Sequence, residues 1–193
     1  MKLYMVRHGQ SETNLSGCFT GWAQVSLTEK GLEDAKLAGE YLKGKTFDRI
    51  YASDLKRAIQ TAQAAIPGCD PILTPQLREI SVGRLELCSV AECEKKYGPR
   101  FMVTPQGYDL SPYGGENHQM LRERVSAFMA ELEHESDEQV IAFSHAGVIL
   151  CMLDIVLGQN IDRTKVRIGN GKVVVFAWEK GRWLLETWGA GVS

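Results

Sequence analysis

A chain of 193 residues, 44% hydrophobic and 24% charged, is long enough for one well-buried domain and short for two large ones. Its formal charge of −2 gives no long-range pull toward nucleic acid or anionic membrane, so neither is an expected partner. Five scattered cysteines with no CxxC pair exclude a disulfide framework or zinc site as the economical reading, and no metal or other cofactor is expected.

The first apolar run, Lys2 to Val6, reads as a strand ending at Arg7, and Arg7 and His8 stand where a signal peptide would need apolar residues. No stretch reaches the length of a membrane span, so a cytoplasmic protein is expected. Thr28 suits the N-cap of a helix running through Lys43, with Leu32, Ala35, Ala38, Tyr41 and Leu42 as its apolar stripe. Arg49 to Ala52 is a second strand. Ser53 then reads as the cap of a helix whose face is Leu55, Ala58, Ile59, Ala62 and Ile66, stopped by Pro67-Gly68. Ile72-Leu73 is a short third strand.

Residues 79–117 carry Gly83, Gly98, Pro99, Pro105, Gly107, Pro112, Gly114 and Gly115 among mixed polarity, and read as an irregular cap or loop region beside a site. A helix follows, with Leu121, Val125, Phe128, Met129 and Leu132 at helical spacing. Gln139 to Phe143 is a buried strand ending at Ser144-His145, and Val148 to Leu157 a helix apolar nearly all round. Lys172 to Trp178 and Arg182 to Trp188 form a terminal hairpin, whose apolar character hints at a homodimer. Alternating strands and helices predict an α/β fold: one three-layer α/β/α domain over residues 1–193 with a mostly parallel central sheet.

His8 and His145 each fall at the carboxyl end of a predicted strand, the edge where open α/β sheets bind ligands. Arg7 adjoins the first histidine, and Arg57 lies near the start of the helix after the second strand. Such a set suits a dianion held by charge-assisted, bidentate hydrogen bonds, with Asn14 as a neutral donor and Gly9 allowing close backbone approach. A neutral imidazole is a competent nucleophile toward phosphorus, and neighbouring arginines favour that form. A leaving alkoxide needs a proton, for which Glu79 is the leading acid. The expected partner is therefore a small phosphorylated substrate. Glu116 reads equally as a helix N-terminal charge or a site residue. Trp22, Tyr108 and Tyr113 read equally as cleft lining or packing, and His118 and His134 as surface residues. Asn170 stands just before the final hairpin, within reach of the site. No GxGxxG follows the first strand, which argues against a dinucleotide binder.

Seven runs carry a family resemblance in order along the chain: RHGQSETN (Arg7 to Asn14), FTGW (Phe19 to Trp22), LTEKG (Leu27 to Gly31), SDLKRAIQTA (Ser53 to Ala62), LREISVG (Leu77 to Gly83), GGEN (Gly114 to Asn117) and SHAG (Ser144 to Gly147). Together they resemble the histidine phosphatase superfamily, in the branch shared by cofactor-dependent phosphoglycerate mutases and α-ribazole phosphatase-like enzymes. The resemblance implies a phosphohistidine nucleophile at His8, a second pocket histidine at His145 and a general acid at Glu79. It implies phosphate ligands at Arg7, Asn14 and Arg57, and places Thr20 and Gly21 on the substrate side. It points to a metal-independent phosphomonoesterase ahead of a mutase, because Gly83 to Val90 has no lysine at the place comparable to the mutase pattern and Arg100 stands alone before Phe101, although Lys95-Lys96-Tyr97-Gly98 is mutase-like. A phosphoglycerate mutase and a catalytically silent phosphate-binding module are the alternatives. Family phosphatases often carry an aromatic-Glu-Gly run after the acid; here Leu85-Glu86-Leu87 stands instead.

Overall fold

The computed structural model describes residues 1–104, 107–134, 136–159, 161–162 and 165–191. Pro105, one of the predicted loop residues, lies outside them. In chain order the elements are β1 (Lys2–Arg7), α1 (Glu12–Ser16), α2 (Glu29–Leu42), β2 (Arg49–Ser53), α3 (Lys56–Ala65), β3 (Ile72–Thr74), α4 (Val90–Tyr97), β4 (Val103–Thr104), β5 (Gly107–Tyr108), α5 (His118–Glu133), β6 (Gln139–Ser144), α6 (Ala146–Leu157), β7 (Val173–Glu179) and β8 (Arg182–Ala190).

The main sheet has the order β3-β2-β6-β1-β7-β8. The first four strands are parallel, and β7 and β8 turn antiparallel as the hairpin. β1 is apolar on both sides because both faces of the sheet are covered. Leu3 and Met5 point into a core with Val125, Phe128 and Leu132 of α5 and Ile149 and Met152 of α6. Tyr4 and Val6 point the other way, onto Ala38 and Leu42 of α2 and Ala62 of α3. This is the expected α/β/α sandwich.

Thr28 caps α2 as expected, accepting the Gly31 N–H. The buried stripe runs Gly31, Ala35, Ala38 and Leu42, while Leu32 is 39% exposed. The small residues let α2 lie close to its neighbours: a Cβ on Gly9 would stand 2.0 Å from the Gly31 carbonyl oxygen. The close approach expected of Gly9 is therefore made to α2. Ser53 does not cap α3. It ends β2, and Leu55 occupies the cap position with no side-chain bond. The Lys56 N–H is satisfied instead by Gln24 Oε1 at 2.9 Å.

Two helices went unread in the sequence. α1 carries a reciprocal capping box, Ser11 accepting from the Asn14 N–H and Asn14 accepting from the Ser11 N–H. α4 lies inside the region expected to be irregular, capped by Ser89 and stopped at Gly98. With the small β4–β5 hairpin it forms a cap with its own apolar cluster of Val82, Leu85, Cys93 and Leu110. His118, expected at the surface, is 6% exposed, with Nε2 3.4 Å from Asp154 Oδ2 inside the fold. His134 is exposed, as expected.

Candidate active site

The site begins with register. β1 and β6 are adjacent and parallel, with Arg7 opposite Ser144, so the next residue of each strand is a histidine. The His8 N–H donates to the Ser144 carbonyl at 2.9 Å, and the two imidazole rings stand 5.1 Å apart between centroids. The chain leaves β1 toward β2 and leaves β6 toward β7, on opposite sides, and such switch points open a crevice at the carboxyl edge.

His8 is 4% exposed. Its Nδ1 lies 2.7 Å from the Gly9 carbonyl oxygen, which can only accept, so Nδ1 holds the proton and Nε2 keeps a lone pair. Burial first, then the charges of Arg57 and Arg7, push its pKa well below the usual 6.5, against a small opposing pull from the Gly9 carbonyl. The ring is therefore neutral at physiological pH. His145 is fully buried and is depressed in the same way, by burial and then by Arg57 and His8. Its Nε2 meets Ser53 Oγ at 2.9 Å, a contact that explains why Ser53 stays with the strand.

Arg57 is 1% exposed and donates to the carbonyls of Gly21 at 2.9 Å and Ala23 at 3.1 Å. Burial lowers its pKa to about 10, and Glu79 and Glu86 act against that fall. The guanidinium is charged at neutral pH and pins the loop carrying Thr20 and Gly21. Arg7, half-buried, donates to the Ile168 carbonyl. Asn14 Oδ1 accepts from the Ser11 N–H and from Asn170 Nδ2, which leaves the Asn14 amide nitrogen as a donor. Asn170 also donates to the His8 carbonyl at 3.0 Å, so its place before the hairpin does bring it to the site.

Glu79 sits at the start of α6, its carboxylate accepting the Ile80 N–H at 2.9 Å and the Gly147 N–H at 3.2 Å. A Cβ on residue 147 would fall 2.0 Å from Glu79 Oε1, so the glycine of SHAG makes room for the acid. Arg124 holds the same segment from behind. It donates to the carbonyls of Gln76, Arg78 and Glu79 and forks onto Glu116, whose Oε2 also accepts the Ser81 N–H. Glu116 is thus a brace for the cap; it precedes α5, whose cap is Asn117, and does not reach the cavity.

A cavity of about 210 Å³ brings together Arg7, His8, Asn14, Thr20, Arg57 and Glu79, with Gly21 on the same wall. Tyr108 lines it too. Trp22 packs against the Arg78 guanidinium and donates to the Glu79 carbonyl, and Tyr113 packs among Tyr97 and Phe101. His145 lies behind His8, outside the lining. A cavity of about 480 Å³ lies elsewhere, past Tyr108 toward His118 and Arg122. It holds neither His8 nor the arginines of the site. Among the described residues no group of three His, Cys, Asp or Glu side chains is placed to hold a metal ion. No described helix is long and apolar enough to cross a membrane.

The arrangement offers a neutral nucleophile, two cations, a neutral amide donor and a carboxyl group around one small cavity, a set matched to a phosphoryl group. The chain is similar to the 2,3-bisphosphoglycerate-dependent phosphoglycerate mutase 1 of Lactobacillus johnsonii, 41% identical over 119 residues, covering 58% of this chain and 52% of that one. The chain spans about half the length of that mutase and of the Lactobacillus acidophilus mutase that it also matches. It is 31% identical over 157 residues to the adenosylcobalamin/alpha-ribazole phosphatase of Salmonella typhimurium, covering 79% of this chain and 78% of the relative. Its fold superposes on a putative alpha-ribazole-5'-P phosphatase from Escherichia coli with a TM-score of 0.86 at 25% identity, covering 98% and 97% of the two chains. The family model of the histidine phosphatase superfamily (branch 1) matches residues 3–191, and the chain belongs to that superfamily.

Proposed function

We propose that the protein is a phosphoric monoester hydrolase working through a phosphohistidine on His8, with no metal in the chemistry. The observation that carries this is His8 itself: Nδ1 is tied to the Gly9 carbonyl, and the neutral ring shares one cavity with Arg7, Arg57 and Glu79. In the first step His8 Nε2 attacks phosphorus in line, a P–N bond forms, and the P–O bond to the alcohol breaks. Glu79 gives its proton to the leaving oxygen. Arg7, Arg57 and the Asn14 amide hold the equatorial oxygens, where charge accumulates in the transition state. In the second step water attacks the phosphohistidine, the Glu79 carboxylate takes its proton, and inorganic phosphate leaves as the P–N bond breaks. A small phosphorylated metabolite is the proposed substrate.

A mutase reading draws support from the 41% identity to the Lactobacillus johnsonii enzyme. The two readings share the phosphohistidine and differ in who receives the phosphoryl group. Hydrolysis of 4-nitrophenyl phosphate in excess chelator, beside an assay interconverting 2- and 3-phosphoglycerate, separates them. The phosphatase reading expects steady phosphate release and no bisphosphate-stimulated isomerisation. Isomerisation outrunning phosphate release would reverse the assignment.

A further inference from the structure

Away from Arg7 and Arg57 the cavity changes character. Its wall is made by Phe19, Ile80, Val82, Met102 and Leu110, and these belong to the apolar cluster of the cap. Val82 and Leu110 are 4% and 1% exposed, so the wall is backed by packed core rather than by water. The described cations of the cap, Lys95 and Lys96 of α4 among them, lie outside the lining of the cavity. Arg78 forks onto Asp54 at 2.7 and 2.6 Å, with its guanidinium stacked on Trp22. Arg84 lies over the Tyr113 ring, and Arg100 is exposed and outside the lining. Behind the loop wall, Glu86 Oε1 accepts the Trp22 N–H at 2.7 Å and would stand 3.0 Å from a Cβ on Gly21, while Arg57 holds the Gly21 carbonyl from the phosphate side.

Resting on the phosphatase reading above, we propose that the site takes monophosphate esters whose alcohol portion is uncharged and largely apolar, and rejects esters bearing a second anionic group. The phosphoryl group takes the two arginines. A carboxylate or second phosphate on the alcohol would then be desolvated against Val82, Met102 and Leu110, where the described lining offers no cation beyond the two arginines. An unpaired buried anion is a strong basis for discrimination, whereas an apolar group on the same wall gains from burial.

The test compares benzyl phosphate with 4-carboxybenzyl phosphate, which present the same reacting atoms and differ by one remote carboxylate. Phosphate release is followed beside 4-nitrophenyl phosphate as a reference. The proposal expects kcat/KM at least tenfold higher for benzyl phosphate. It further expects Met102→Lys to raise the carboxylated ester at least fivefold relative to the neutral one. Equal rates, a preference for the carboxylated ester, cleavage of the reference ester alone, or a Met102→Lys enzyme with no selective gain would each overturn the proposal and leave the phosphatase reading standing. Inertness toward all three esters would overturn both.

Discussion

Arg57 has five N–H donors in a planar fork and commits two of its nitrogens to the carbonyls of Gly21 and Ala23. The same side chain lines the cavity beside Arg7. A lysine at this position has three donors on one point charge and cannot hold the loop and a phosphoryl group in the same geometry. Arg57→Lys is therefore expected to lower kcat/KM by about 100-fold, the scale of losing one preorganised donor to a developing charge. Steady-state kinetics beside a denaturation curve check this; an Arg57→Lys enzyme within threefold of the parent would remove the residue from phosphate binding. Most of the site was legible at this scale. Arg7, His8, Asn14, Arg57 and Glu79 follow from residue type, strand end and motif, and all five line the cavity. Ser53 was misread because a serine before a helix is the commonest N-cap, while its hydroxyl here is held by His145, 92 positions away in sequence.

At the scale of elements, the start of α6 decides where the acid stands. Gly147 lies in the first turn, and its missing side chain is the space that Glu79 occupies. Alanine is the better helix former there, so helix propensity and site geometry oppose each other. Gly147→Ala is expected to lower kcat by about 100-fold through displacement of the carboxylate, with the folded state retained. Kinetics with circular dichroism check it, and an unchanged kcat would show that Glu79 does not act from this position. The cap was the least readable element. Its helix α4 has a serine three residues before Glu92 and a glycine at its end, a signal outweighed by the prolines and glycines around it. What holds the cap down, Glu116 against the Ser81 N–H and Arg124 against three carbonyls, joins positions 35 to 48 residues apart in sequence and leaves no local pattern.

At the scale of the whole molecule, one parallel register between β1 and β6 places both histidines inside a closed sandwich, and folding buries them neutral. In the unfolded chain each takes a proton below its ordinary pKa near 6.5; in the folded protein each does so only at much lower pH. Below about pH 6.5 the unfolded state therefore binds more protons, and stability falls as pH falls, by up to about 1.4 kcal/mol per pH unit for each histidine. Denaturant unfolding at pH 7.5, 6 and 5 is expected to show that loss, on top of the carboxylate contribution (roughly pH 5 and below). A flat profile between about pH 6.5 and 5.5 would contradict the neutral, buried state of the pair.

If His8 carries the phosphoryl group between substrate and water, the phosphorylated enzyme can be trapped. The enzyme is mixed with a phosphomonoester, quenched within one turnover into alkali, and digested for peptide mass spectrometry. A phosphoryl group on the peptide containing His8, lost on further incubation and absent from His8→Ala, is the predicted result. Turnover with no modified histidine, or with the label on another residue, would mean that His8 is not the nucleophile.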